Sequence, residues 1–309
     1  MSYAYAAGEA LPAAAIQVVA HRGASQEEPE HTLAAYRKAI EDGADALECD
    51  VRLTADGHLV CVHDRRVNRT SNGRGAVSAL ELSELAALDF GSWKGGSDGT
   101  TDDLTDGGDD DGDDGETPDW ERWTADPAER SSVLTLERLL ELVVDADRRV
   151  DLAIETKHPT RWAGQVEERL LETLRRFGLD RPGGGERSGE RFGERSGTRP
   201  EVRVMSFSPR SLRRVRMAAP TLRTVYLMSY VLPRYRDGRL PVGVGIAGLG
   251  VRVLRANPGY VARLRRAGHR VHVWTVDEPR DVELCVRLGV DAIITNRPKQ
   301  VLTQLGRTA

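Results

Sequence analysis

The chain has 309 residues, 39% hydrophobic, 30% charged and only 5% aromatic, with a formal net charge of −4. That length admits two average domains or one α/β barrel of about 250 residues with additions. No segment approaches the ~20 apolar residues of a membrane span, and three cysteines without metal-ligand spacing exclude a disulfide framework or a zinc motif. The charge is unevenly placed. Residues 98–119 hold eleven acidic side chains and no Lys or Arg, so the rest of the chain is mildly basic, which suits an anionic substrate without demonstrating one.

Residues 1–15 are alanine-rich but lack a basic start, and Gly8, Glu9 and Pro12 interrupt any apolar run; an N-terminal arm and a cytoplasmic location are expected. The first strand is expected at 17–20, leading into His21-Arg22-Gly23, and the first helix at 32–42. A strand at 46–51 carries Glu48 and Asp50. The Asp56-Gly57 pair reads as the turn of a hairpin to an extra strand at 59–62, followed by His63-Asp64. Residues 64–130 then form an insertion, whose ordered ends near 80–90 and around Trp120 and Trp123 are expected to cover part of the site. Its centre, 94–118, is Gly/Asp-rich and has too little to bury to offset the entropy of ordering. A calcium loop does not fit there, because placing Gly112 or Gly115 at the turn puts Gly107 or Gly112 where an acid is needed. Deleting 98–118 is therefore expected to leave the melting temperature and most activity intact, as differential scanning calorimetry and an assay would check.

Beyond the insertion a helix is expected at 136–147, a strand at 149–155 and a helix at 161–177. A flexible loop follows at 181–199, which repeats a Gly-Glu-Arg theme. Strands at 202–206, 223–227, 244–248, 270–276 and 291–295 alternate with helices at 209–218, 258–267 and 278–288. Ser208 and Asn257 stand directly before a proline at a helix start and Asn296 two residues before one, where a side chain caps the first turn. Eight strands alternating with helices predict a (β/α)8 TIM barrel over 16–305 with an insertion after the second strand; a doubly wound open sheet is the alternative.

Alternate strand residues share a face, so Glu48 and Asp50 point one way and Cys49 the other. Two carboxylates so close repel unless a cation lies between them or one is protonated. Glu155 and Lys157 repeat the pattern at a later strand end, and a barrel gathers such ends on one rim. Three carboxylates suit Mg²⁺ or Ca²⁺ better than zinc, and two imidazoles, His21 and His63, titrate near neutrality. Singly, each residue has a plainer reading. Glu48 and Asp50 could pair with Arg22 or Arg52, Glu155 with Lys157, and Trp274 could be a core or rim aromatic. His31 and His58 read as surface residues, and His158, His269 and His272 as structural. Arg65, Arg66 and Arg69 make either a phosphate-binding rim or an exposed basic loop, without the aromatics that nucleic-acid binding would want.

Six motifs in order, His21-Arg22-Gly23, Glu30-His31-Thr32, Glu48-Cys49-Asp50, His63-Asp64, Glu155-Thr156-Lys157 and Trp274-Thr275-Val276-Asp277, resemble those of the glycerophosphodiester phosphodiesterase family. The resemblance implies a TIM barrel and a divalent metal held by Glu48, Asp50 and Glu155. It also implies acid–base catalysis by His21 and His63, phosphate contacts from Arg22 and Lys157, and a pocket wall at Trp274. The expected substrate is a small glycerophosphodiester, cleaved to glycerol 3-phosphate and an alcohol through a cyclic phosphate. A lysophospholipid substrate and a non-catalytic phosphate-binding barrel are the alternatives. Two departures stand out: His31 replaces the usual Asn, which bears on the network around Glu30, and Asp277 replaces another Asn, which bears on substrate contacts.

Overall fold

In the computed structural model the parallel strands close into a ring. The structure describes residues 13–94, 126–157, 164–181 and 199–307. The acidic stretch at 98–118, Trp120, Trp123, His158 and nearly all of the loop at 181–199 lie outside the described residues. The strands are β1 (Gln17–His21), β2 (Ala46–Leu53), β3 (Leu59–Cys61), β4 (Asp151–Thr156), β5 (Val202–Ser206), β6 (Arg223–Met228), β7 (Ile246–Gly250), β8 (Arg270–Trp274) and β9 (Ala292–Thr295). They run in the order β1-β9-β8-β7-β6-β5-β4-β2, and β2 pairs back with β1, so eight parallel strands form a closed barrel rather than an open sheet. Among the described strands only β3 is antiparallel, hung outside on β2 with Val51 opposite Cys61.

Apolar periodicity made the helices, and the helices cover the barrel. α1 (Leu33–Glu41), α4 (Leu136–Val144) and α5 (Gln165–Arg176) pack on the outer faces of β2, β4 and β5, where Cys49 is buried as its alternation requires. α6 (Pro209–Ala218), α7 (Val251–Ala256), α8 (Gly259–Arg266), α9 (Pro279–Leu288) and α10 (Pro298–Gln304) enclose the other side. Thr32, Thr135 and Ser208 cap their helices by accepting from Ala35, Arg138 and Ser211 backbone N–H groups, each worth about 1 kcal/mol. The other two expected caps are spent differently: Asn257 accepts from Arg263, and Asn296 turns into the barrel mouth.

The barrel interior is layered by the same alternation. Val19, Ala46, Ala153, Met205, Val225, Ile246 and Ile294 form an apolar plug. One step up each strand toward the C-terminal rim, the register sets His21 beside Glu48 and Asp50 beside Glu155. The described part of the insertion builds a small core of its own, with Val67, Val77, Leu85 and Phe90 on Val60 and Val62; it includes α2 (Leu82–Ala86), and α3 (Pro127–Ser131) leads back to the barrel. No helix among the described residues is long and apolar enough to cross a membrane.

Gly23 is required twice over. Its φ is +85°, and a Cβ there would lie 2.6 Å from the Ala35 carbonyl carbon. Gly23→Ala is expected to cost more than about 1 kcal/mol, read as a lowered melting temperature.

Candidate active site

The C-terminal rim gathers most of the polar residues that the sequence placed in apolar runs. Glu48, Asp50 and Glu155 are buried, and one oxygen from each lies within 4.8 Å of the others. Burial and the charge of Asp50 push the Glu48 carboxyl well above its ordinary range and the Glu155 carboxyl up to about 7. Asp50 goes the other way. Burial opposes its ionisation, but Lys157, His31 and Arg22 together hold it well below the usual carboxylate range. Lys157 Nζ lies 2.9 Å from both Asp50 Oδ1 and Glu155 Oε1, and Arg22 Nε lies 3.2 Å from Asp50 Oδ2. Glu48 is left with the Arg22 backbone N–H at 3.2 Å and His21 Nε2 at 3.9 Å. The chain's own cations therefore leave the trio under-compensated, and an all-oxygen donor set fits a hard divalent ion.

His21 stands on a relay. Asp277 accepts from Asn296 twice, through the backbone N–H at 2.8 Å and the side-chain amide at 2.7 Å. That orients the Asn296 amide so that Oδ1 faces His21 Nδ1 at 2.7 Å. The acceptor fixes the proton on Nδ1 and leaves the Nε2 lone pair turned toward the carboxyl trio. Burial, with Arg22 nearby, lowers the His21 pKa to about 3, so the ring is neutral at pH 7. Asp277 thus orients Asn296, with Thr295 Oγ1 donating to it as well.

His63 follows β3 and is held by its backbone: Arg52 donates to the His63 carbonyl from Nε and Nη2 at 3.0 and 2.7 Å. Arg52 is thereby used up, and of the two arginines considered for Glu48 and Asp50 only Arg22 meets them. His63 Nδ1 lies 2.7 Å from Asp64 Oδ1. Burial lowers the His63 pKa, and the hydrogen bond to Asp64 works against that shift. Asp64 accepts from Arg69 at 2.7 Å, and Arg69 donates to both oxygens of Glu30 at 2.7 and 2.9 Å. Arg22 Nη1 meets the same Glu30 at 3.0 Å. Arg69 is therefore neither a free phosphate rim nor a loose loop residue; it ties the insertion to both His63 and Arg22.

The surface reading of His31 is wrong. The residue is 5% exposed and hydrogen bonds with Asp50 Oδ2 at 3.0 Å and with the Tyr36 hydroxyl at 2.8 Å, and that hydroxyl donates to the Glu48 carbonyl at 3.1 Å. A helical-start context said nothing of this, because His31 reaches the site from a left-handed backbone, φ +63°, as does Arg22 at +59°. Non-glycine residues in that region store about 1–3 kcal/mol each. Two hydrogen bonds hold them, Arg22 N–H to the Glu48 carbonyl and His31 N–H to the Arg22 carbonyl, both 3.1 Å. His31→Leu is expected to weaken divalent-metal binding about 10–100-fold by titration calorimetry, with His31→Asn recovering part of it.

His58 is exposed as expected, and His272 is buried inside the barrel below the plug. Trp274 lines the rim across from the trio: its Nε1 donates to the Gly248 carbonyl at 3.0 Å, and Phe207 meets it edge-on at 5.5 Å. Phe207, 42% exposed, was not foreseen; a lone aromatic just past a strand carries no signal until the barrel closes.

The sequence profile of the Glycerophosphoryl diester phosphodiesterase family matches residues 21–300. A protein described as "Probable glycerophosphodiester phosphodiesterase 1" from Mycobacterium tuberculosis (strain ATCC 25618 / H37Rv) is 42% identical over 284 residues, covering 91% of this chain and 89% of that protein. A "Glycerophosphodiester phosphodiesterase" of Caldanaerobacter subterraneus subsp. tengcongensis is 31% identical over 92% of this chain and 96% of its own length. Among solved structures, an Oleispira antarctica phosphodiesterase in complex with the product sn-glycerol-3-phosphate superposes with a TM-score of 0.70 at 20% identity, covering 94% of this chain and 96% of that one. By its profile match and its relatives, this chain belongs to the glycerophosphoryl diester phosphodiesterase family.

Proposed function

We propose that the chain hydrolyses glycerophosphodiesters to glycerol 3-phosphate and an alcohol, using a divalent cation held by Glu48, Asp50 and Glu155. The observation that carries this reading is the carboxyl trio flanked by two imidazoles whose Nδ1 atoms each face an acceptor, Asn296 for His21 and Asp64 for His63. When bound, such a cation supplies charge neutralisation to the phosphodiester and its transition state. The Arg22 guanidinium and Lys157 Nζ, which meets Asp50 and Glu155 at 2.9 Å, would contact phosphate oxygens. The trio's donor chemistry suits Mg²⁺ or Ca²⁺.

His21, neutral and with Nε2 unprotonated, is suited to take the proton from the attacking hydroxyl. His63, whose Asp64 partner offsets part of the lowering that burial imposes on its pKa, would give one to the leaving alkoxide. In the first step the substrate's own glycerol 2-hydroxyl attacks phosphorus and the alcohol leaves. In the second, water opens the cyclic phosphate as the two histidines exchange roles. A diester of 2-deoxyglycerol cleaved at full rate would rule this route out. The product named for the Oleispira antarctica structure is the product expected here. The three thiols, buried and unbridged, accord with a cytoplasmic location.

Release of glycerol 3-phosphate from glycerophosphodiesters, assayed with EDTA and again with Mg²⁺ or Ca²⁺ returned, tests the proposal; cleavage that survives the chelator would overturn the metal's part. The ion should also leave a thermal signature. Glu155 takes up a proton as pH falls through about 7, so proton and cation compete for it. The rise in melting temperature on adding Mg²⁺ or Ca²⁺ is expected to be largest above pH 7 and to shrink toward pH 5. A lysophospholipid substrate would draw on the tryptophans flanking the acidic stretch, of which Trp120 and Trp123 lie outside the described residues and Trp93 has Arg69 and Lys94 over its ring at 5.9 and 6.0 Å. Turnover of glycerophosphocholine against a long-chain lysolipid separates the two.

A further inference from the structure

The stretch that runs from β5 to the start of β8 is strongly basic. Residues 202–270 contain fifteen arginines, no lysine and a single carboxylate, Asp237. Many of these arginines have partners, including Arg214 with Glu167 and Arg255 with Asp281, and Asp237 pairs with Arg239 at 3.1 Å. Arg236 and Arg252 are different. Among the described residues neither has a carboxylate partner, and both line one cleft of about 610 Å³ with Arg263, Asn257, Ser229 and Tyr230. That volume is in the range of small-molecule sites.

The cleft has fixed walls. Arg263 donates to Asn257 Oδ1 at 3.0 Å and lies 5.3 Å from the centroid of the buried Tyr260 ring, whose hydroxyl donates to the Tyr235 carbonyl. Its Nε is buried with no hydrogen-bond partner, a donor held ready without an acceptor. Gly238, at φ +91°, lets the β6–β7 connection close onto α8, since a Cβ there would meet the Arg263 carbonyl carbon at 2.6 Å. Part of its lining stands at C-terminal strand ends, on the side of the barrel that carries the trio. Ser229 and Tyr230 directly follow β6, and Arg252 is the second residue of α7, directly after β7. Gly250, which ends β7, stands against the Trp274 ring, 3.6 Å from where its Cβ would be.

We propose that the cleft between the β6–β7 connection and α7–α8, lined by Arg236, Arg252 and Arg263, is a subsite for a second anionic group on the leaving alcohol. The favoured head groups are then those that carry a phosphate or carboxylate of their own. This deepens the phosphodiesterase reading and rests on it. Guanidinium groups match both classes of oxyanion in two-point contact, and unpaired arginines in a preformed cleft bind such a group without first breaking ion pairs. A cationic head group such as choline gains nothing there.

The test compares wild type, Arg236→Gln/Arg252→Gln, and a charge-matched control, Arg266→Gln/Arg287→Gln, on two substrates. One diester carries glycerol as its head group and the other carries phosphorylated glycerol. The cleft variant is expected to lose about tenfold or more in kcat/KM on the phosphorylated head group alone, the control neither. Equal loss on both substrates, or no loss, overturns the proposal. Titration with inorganic phosphate is the second arm, and it does not depend on turnover. Loss of phosphate binding in the cleft variant supports an anion site even if neither diester is cleaved, in which case the phosphodiesterase reading is what fails. Retained phosphate binding together with an unchanged substrate ratio overturns the site. If the cleft variant instead loses only co-sedimentation with phosphatidylglycerol vesicles, the face docks on lipid and the head-group subsite is wrong.

Discussion

Replacing His21 with alanine is expected to lower kcat about 10²–10⁴-fold, the usual worth of a positioned acid–base group, while the melting temperature changes little. The side chain stands at the mouth, 15% exposed, above the apolar plug, so the loss should fall on chemistry. His63→Ala is expected to act on the same scale. The two differ in what stands behind them. Asn296→Ala keeps the His21 ring but frees it to change tautomer, so a smaller loss of about tenfold is expected. Asp64→Asn removes the charge that favours a protonated His63, and should move the alkaline limb of the pH–rate profile downward. Wild-type rates in both histidine variants would sink the acid–base assignment.

The second large effect belongs to Asp50. Three groups converge on it: Lys157 at 2.9 Å, His31 at 3.0 Å and Arg22 at 3.2 Å. Asp50→Ala leaves Lys157 to Glu155 alone, removes a hydrogen-bond partner of the His31 ring and removes an ion-pair partner of the Arg22 guanidinium. Breaking a buried ion pair by removing one member costs about 3–5 kcal/mol, because the remaining charge stays buried. Loss of divalent-metal binding by calorimetry and a lowered chemical-denaturation midpoint are both expected. Asp50→Asn preserves shape and an oxygen facing His31, so it should recover much of the stability and little of the metal affinity. Should Asp50→Ala bind metal as tightly as wild type, the carboxyl trio is not the metal site.

These two sites differ in how far they could be read before the fold was in hand. Glu48 and Asp50 announce themselves, because two acids one residue apart in an apolar strand share a face and need a cation. Their register with His21 and Glu155 then follows from parallel pairing. Asn296 announces nothing: a helix-start asparagine before a proline has a sufficient local explanation as a cap, and only the closing of β9 onto β1 brings it within 2.7 Å of His21. His31 misled for a similar reason. Its neighbours Pro29 and Thr32 signal a loop entering a helix, and nothing in that signal carries the left-handed φ that turns the ring inward. Arg69 lay between two readings until Glu30 and Asp64, distant from each other in sequence, met on either side of its guanidinium.

The sequence by itself determined the strand and helix rhythm, the face each side chain takes and the type of chemistry, because period-2 and period-3.6 patterns and the cost of burying charge are local properties. Eight strands were legible but their closure was not, since pairing of β2 with β1 is a long-range contact that no strand encodes alone. Only the tertiary structure decided which donors and acceptors face one another across the barrel mouth. It settled the tautomer of His21, the engagement of Lys157 by two carboxylates, and the pairing of Arg22 and Arg69 through Glu30. Hydrogen bonds reach no farther than about 3.5 Å between heavy atoms. Their partners are therefore chosen by where distant strands end, and that is a property of the closed barrel.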